Sequence, residues 1–230
     1  MQPRLHPPRA ILFDVGNTLL AERRFDLEAG IAAVVGERRE VVALAEAFRA
    51  DVADSHRRQS EPLLAQWLCD RVPDLASIGI TAVEDAVWQA VVTLVPQPGV
   101  KNVLAALAAD SVGLAAVSNA TFTGRVLHGE LARHGLAHYL RFVVTSADVR
   151  SRKPATPLFK AAVGRLGVSA ADAWFVGDTR EEDVAGALAA GLQPIWLSRQ
   201  ASQAATDQIP LVQDWRGFAA LYANVRPSAG

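Results

Sequence analysis

From Pro98 onward the chain alternates short, almost wholly apolar runs with longer stretches of helical periodicity. The runs predict strands at Val112–Val117, Phe142–Thr145, Ala173–Val176 and Pro194–Leu197. The periodic stretches predict helices at Val100–Ala109, Phe122–His134, Thr156–Leu166, Glu181–Ala190 and Trp215–Ala223. Strands separated by helices of this length specify a parallel sheet with helices on both faces. Strands covered on both faces lose the apolar–polar alternation of a half-solvated sheet, which is why the runs are continuous. Ala10–Phe13 has the same character and is expected to join the sheet.

Between that first strand and Pro96 the pattern changes. Apolar residues recur at three- and four-residue intervals, as in Val41, Val42, Leu44, Ala45, Phe48 and Val52, which is the period of an amphipathic helix. Helices are expected near Asp26–Val35, Arg39–Gln59, Pro62–Arg71 and Ala82–Leu94, with turns at Pro73-Asp74 and Ile78-Gly79. The expected fold is therefore α/β: a Rossmann-like parallel sheet sandwiched by helices, residues 1–20 and 96–230, interrupted by an inserted all-helical domain, residues 21–95.

A chain of 230 residues can bury a sizeable core in such a domain. Its net charge of −1 excludes a nucleic-acid partner, whose electrostatic footprint would be strongly basic. One cysteine, Cys69, excludes an intrachain disulfide and a multi-cysteine metal site. The lead-in Met1–Arg9 lacks the apolar core of a signal peptide. No apolar run approaches the roughly 20 residues of a membrane span. A cytoplasmic protein with no membrane partner is expected, its C-terminal tail Arg226–Gly230 frayed. No sustained heptad is visible, so monomer and homodimer both stay open.

Ligands of open parallel sheets bind beyond the carboxyl ends of the strands. Asp14, Ser118, the loop holding Lys153, and Asp178 all follow a predicted strand, so four separated segments converge on one rim. Carboxylates from two strand ends suggest a hard cation such as Mg²⁺, usually held by one or two carboxylates, water and a phosphate oxygen. Lys153 is one of only three lysines in an arginine-rich chain. Pro154 pushes it toward an extended conformation, so it is expected to project from a loop. Ser118 and the amides after it precede a helix, where they can hold an anion or simply cap the helix.

In this order, Phe13-Asp14-Val15-Gly16-Asn17-Thr18-Leu19, Val117-Ser118-Asn119-Ala120, Ser151-Arg152-Lys153-Pro154 and Gly177-Asp178-Thr179-Arg180-Glu181-Glu182-Asp183 resemble the motifs of the haloacid dehalogenase superfamily, most of whose members are phosphohydrolases. The resemblance implies a small phosphorylated substrate, Mg²⁺, and a helical cap at the family's first insertion point. It makes Asp14 the nucleophile that forms an aspartyl phosphate and Lys153 the cation that neutralises it. Ser118 and Asn119 become the phosphate-binding pair. Asp14, the Gly16 carbonyl and Asp178 become the metal ligands, with Asp183 behind them orienting water or Lys153. Glu181 and Glu182 are read as solvated first-turn acids complementing the helix dipole.

One position departs from the pattern. Phosphatases of this family carry a second aspartate two residues after the nucleophile, as general acid and base; here that residue is Gly16. The insertion offers His56 and Glu61 as replacements, but the sequence aims neither. Two rival readings accompany the departure: a metal-free haloacid dehalogenase, and a catalytically impaired phosphate- or partner-binding relative.

Overall fold

The computed structural model describes residues 5–36, 40–200 and 209–226. Part of the lead-in, the expected helix start at Arg39 and most of the C-terminal tail lie outside the described residues. Strand β1 (Ala10–Phe13) leads through a tight loop to β2 (Leu20–Phe25). Helices α1 (Leu27–Val35), α2 (Glu40–Arg57), α3 (Leu64–Arg71), α4 (Pro73–Ile78) and α5 (Ile80–Val91) follow, and β3 (Val92–Pro96) returns antiparallel to β2. The remainder alternates: α6 (Val100–Ala109), β4 (Gly113–Ser118), α7 (Gly124–Arg133), β5 (Val143–Thr145), α8 (Ser146–Val149), α9 (Thr156–Leu166) and β6 (Ala173–Gly177). A π-type turn at Arg180–Val184 then runs into α10 (Ala185–Ala189), followed by β7 (Gln193–Leu197), β8 (Leu211–Val212) and α11 (Trp215–Ala223).

The main sheet has the order β5-β4-β1-β6-β7-β8 with every pairing parallel. Successive side chains of a strand point to opposite faces, and the core divides accordingly. Ile11 and Phe13 pack with Leu114, Ala116, Trp174 and Val176 on one face. Ala10 and Leu12 pack with Ala115, Val117 and Phe175 against Leu158, Phe159 and Ala162 of α9 on the other. The chain builds outward from β1 through β4 and β5, then crosses to β6, so the strand order reverses at β1. The crevice at the carboxyl end of such a switch point is where ligands of open parallel sheets bind.

The helical insertion departs from expectation at its ends. Val92-Thr93-Leu94-Val95 continues the apolar pattern of α5, but a β-branched run favours an extended strand. It leaves the helix at Val91 and pairs with β2, so an antiparallel ribbon closes the insertion. β2 was hidden from the sequence because Glu22-Arg23-Arg24 is polar and exposed. Pro73-Asp74 does not make a turn: Pro73 starts the six-residue α4, since the first helical position needs no N–H donor and suits the fixed φ of proline. Within the insertion, a Cβ on Gly30 would lie 2.9 Å from Val91 Cβ, so this glycine sets how closely α1 approaches α5. Phe48 and Trp67 stack edge-to-face with centroids 5.2 Å apart and join α2 to α3. No helix among the described residues is long and apolar enough to cross a membrane.

Candidate active site

Asp14 stands one residue past β1, and its backbone N–H donates to the Val176 carbonyl of β6 at 2.9 Å. This pairing carries the β1–β6 register beyond the strand and sets Asp14 beside Gly177 and Asp178. Lys153 arrives from the loop after α8. Its Nζ donates to Asp14 Oδ1 at 2.6 Å and to Asp183 Oδ1 at 2.6 Å. Asp14, Lys153 and Asp183 are all buried, whereas Asp178 is only partly covered.

Two carboxylates therefore bind one ammonium, and a third, Asp178, lies beside them. Burial, reinforced by the charges of Asp183 and Asp178, pushes Asp14 up to about 7 despite the opposing pull of Lys153. Burial alone would lower the lysine, but the carboxylates of Asp14 and Asp183 outweigh it and hold Lys153 above its ordinary value, fully protonated. Asp178 is also raised, first by burial and then by Asp183.

Asp14, Asp178 and Asp183 each place one carboxylate oxygen within 4.8 Å of the others. Both oxygens of Asp183 are engaged, one by Lys153 and one by the Thr179 N–H at 2.9 Å. Asp14 keeps one oxygen with no protein donor among the described residues, and Asp178 accepts the Thr179 hydroxyl at 3.3 Å. An all-oxygen set that leaves a charge of −2 after pairing with lysine fits a divalent hard cation such as Mg²⁺.

The acidic segment does not start as the expected α-helix. It opens as a π-type turn, with Val184 N–H reaching the Thr179 carbonyl at 3.3 Å, and this turns Asp183 inward toward Lys153. Ser118 is buried at the end of β4, and its hydroxyl makes only a 3.5 Å approach to the Asn119 carbonyl, too long to count as a strong bond. The Asn119 side chain is fully used elsewhere: Oδ1 accepts the Lys153 N–H at 2.8 Å, and Nδ2 donates to the Lys153 carbonyl at 3.1 Å and Glu182 Oε2 at 2.9 Å. It splints the lysine loop, which leaves its backbone amide rather than its side chain for an anion. Gly16 lies exposed in the turn after β1, and a Cβ there would meet nothing within 4 Å.

Residues 72–197 match the model of the family described as haloacid dehalogenase-like hydrolase. A glyceraldehyde 3-phosphate phosphatase of Methanopyrus kandleri is 30% identical over 83% of this chain and 84% of its own. The chain belongs to the haloacid dehalogenase-like hydrolase family. A phosphoglycolate phosphatase of Rhodospirillum rubrum is 31% identical over 92% of both chains. In fold, the protein resembles a phosphatase of this family from Thermococcus onnurineus (TM-score 0.63, 19% identity, 95% of this chain and 99% of that one). It also resembles a 2-haloacid dehalogenase of Pseudomonas syringae (TM-score 0.56, 22% identity, 94% and 98%). At such identities the likeness to solved structures speaks for the fold alone.

The sequence by itself does not point to three residues that hold this haloacid dehalogenase-like site together. Glu182, read as a solvated acid, bonds Asn119 and also Arg152 Nη2 at 2.9 Å, so it ties the serine loop to the lysine loop. Arg152 also approaches Glu61 of the insertion, Nε to Oε2 3.3 Å, as an ion pair without hydrogen-bond geometry. The loop position of Arg152 next to Lys153 was the only available signal. Trp196 Nε1 donates to the Asp178 carbonyl at 2.9 Å and pins that loop from β7.

Proposed function

We propose that this hydrolase is a Mg²⁺-dependent phosphohydrolase acting on a small phosphorylated metabolite through an aspartyl phosphate at Asp14. One observation carries the reading: a buried ammonium binds two carboxylates and a third lies beside them, so the ionised cluster has an excess charge of −2 in a place where unpaired charge is costly. A carbon-attacking, metal-free dehalogenase would leave Asp178 and Asp183 raising the pKa of its nucleophile with no cation beyond Lys153 to offset them. The phosphatase names of the curated relatives point the same way.

In this reading, residues 21–95 form a cap over the strand ends of a core made of residues 1–20 and 96–230. The Ser118 hydroxyl and the Asn119 backbone amide receive the phosphoryl oxygens. Lys153 fixes the Asp14 carboxylate and neutralises charge gathering on the transferring group, the kind of preorganised stabilisation that dominates phosphoryl transfer. One Asp14 oxygen attacks phosphorus, the ester bond breaks with its electron pair on the leaving oxygen, and water then hydrolyses the acyl phosphate. Asp14, the Gly16 carbonyl and Asp178 would hold Mg²⁺, whose charge offsets the acidic excess and draws electron density from the phosphoryl oxygens. Asp183 keeps Lys153 in place.

Hydrolysis of p-nitrophenyl phosphate with Mg²⁺, with EDTA, and by Asp14→Asn tests the proposal. Turnover that needs both Mg²⁺ and Asp14 is expected. Metal-independent halide release from 2-haloacids, with no phosphate release, would overturn it.

A further inference from the structure

Residue 16 has no side chain, so a proton for the departing oxygen must come from elsewhere, and the helical insertion holds a titratable pair tied to two loops of the core. His56, near the end of α2, sets Nε2 3.0 Å from Glu61 Oε1. The Glu61 side chain is 3% exposed and that of His56 33%. The buried carboxylate is anchored by the core. Its Oε2 accepts the Ser146 hydroxyl at 3.1 Å and pairs with Arg152, while the Arg152 N–H donates to the Gln59 carbonyl at 3.1 Å. Ser146 Oγ in turn accepts the Ala120 N–H at 2.9 Å, in the loop that begins at Ser118. Glu61 thus has a fixed position relative to that loop, and it fixes one nitrogen of His56.

His56 also lines a cavity of about 560 Å³ in the insertion, walled by Phe25, Phe48, Val52 and, from the core, Thr121. Its volume is in the usual range for a small-molecule pocket. Thr121 is three residues beyond Ser118, so this wall is within about 11 Å of it by chain length alone. The other charges on the cavity are Asp26, Glu28 and Arg49. Arg49 is paired with Glu28 at 2.7 Å and Asp26 with Arg24 at 2.6 Å.

Building on the phosphohydrolase reading, we propose that this cavity takes the organic part of an apolar phosphate monoester and that His56, oriented by Glu61, is the proton donor to its leaving oxygen. As the phosphorus–oxygen bond breaks, the ester oxygen keeps the electron pair and takes the proton from His56 Nδ1, while Asp14 bonds to phosphorus. The neutral imidazole then accepts a proton from the water that attacks the aspartyl phosphate, which restores His56 and Asp14 and releases orthophosphate. Glu61 is a positioning residue that supports the imidazolium.

The test compares p-nitrophenyl phosphate, whose leaving group needs little protonation, with 2-phenylethyl phosphate, whose alkoxide needs a proton. General acid catalysis contributes on the order of 10²–10⁴ in rate. His56→Gln is therefore expected to lower kcat on the alkyl ester at least about 30-fold more than on the aryl ester, and Gly16→Asp added to it to restore the alkyl rate. Glu61→Gln is expected to shift kcat in the same ester-selective way with KM unchanged. An equal effect of His56→Gln on both esters, or none on either, would overturn the proposal while leaving the phosphohydrolase intact. Failure of the wild-type protein to hydrolyse either ester would remove both.

Discussion

Gly177 and Asp183 occupy adjoining space so closely that a Cβ on the glycine would overlap the Asp183 side chain. The glycine is the last residue of β6, and its missing side chain lets Asp183 fold back under the strand end to reach Lys153. The function of a Gly-Asp pair at this strand end is thus split: the aspartate faces the crevice and the glycine makes room behind it. Gly177→Ala is expected to displace Asp183 and lower kcat about tenfold or more, with a stability cost of about 1–3 kcal/mol for overpacking. Steady-state kinetics and urea melts measure the two effects.

The raised Asp14 gives the metal-free protein a distinctive pH dependence. Between about 4 and 7 the folded state holds a proton that the unfolded chain releases, so stability falls as pH rises through that window. Above about 7 the loss is complete. Asp14→Asn removes the effect, so in EDTA the variant is expected to melt several degrees higher than wild type at pH 8, with the gap closing toward pH 4. Mg²⁺ bound as proposed would require ionised carboxylates and would stabilise the folded state. Its thermal shift on wild type is expected to be larger at pH 8 than at pH 5.

Removing Lys153 has the opposite consequence. Lys153→Met leaves Asp14 and Asp183 buried without their shared cation. Breaking a buried pair by deleting one partner costs about 3–5 kcal/mol. The variant is expected to be inactive and to be rescued in stability, though not in activity, by millimolar Mg²⁺, as differential scanning calorimetry would detect.

Gly16→Asp should be accepted by the fold, because the position is open and outside the left-handed backbone region. Its melting temperature is expected within a few degrees of wild type. Turnover of alkyl phosphates is expected to rise severalfold in the wild-type background, where His56 already serves. Parallel assays on alkyl and aryl esters check this, and unchanged or lower turnover of alkyl esters in an intact fold would count against it.

The alternation after Pro98 determined the parallel sheet, because strands covered on both faces and helices of about ten residues leave few other packings. α9 and α11 fall where periodicity puts them. Asp14, Ser118, Lys153 and Asp178 were legible as a rim for the same reason: each follows an apolar run whose direction the topology dictates. The identity of residue 16 was also legible, and with it the question of the missing proton donor.

Other features exist only between distant segments. The ribbon of β2 and β3 arises from pairing residues about 70 positions apart, for which local propensity is a weak guide. Glu182 became a clamp rather than a solvated acid because the π-type turn and the arrival of Asn119 and Arg152 gave it partners. His56 and Glu61 gained direction from Ser146 and Arg152, 85 and 91 positions beyond Glu61 along the chain. Sequence spacing encodes which face of an element a residue occupies; which charged groups share a buried space depends on the packing of elements that only the folded chain brings together.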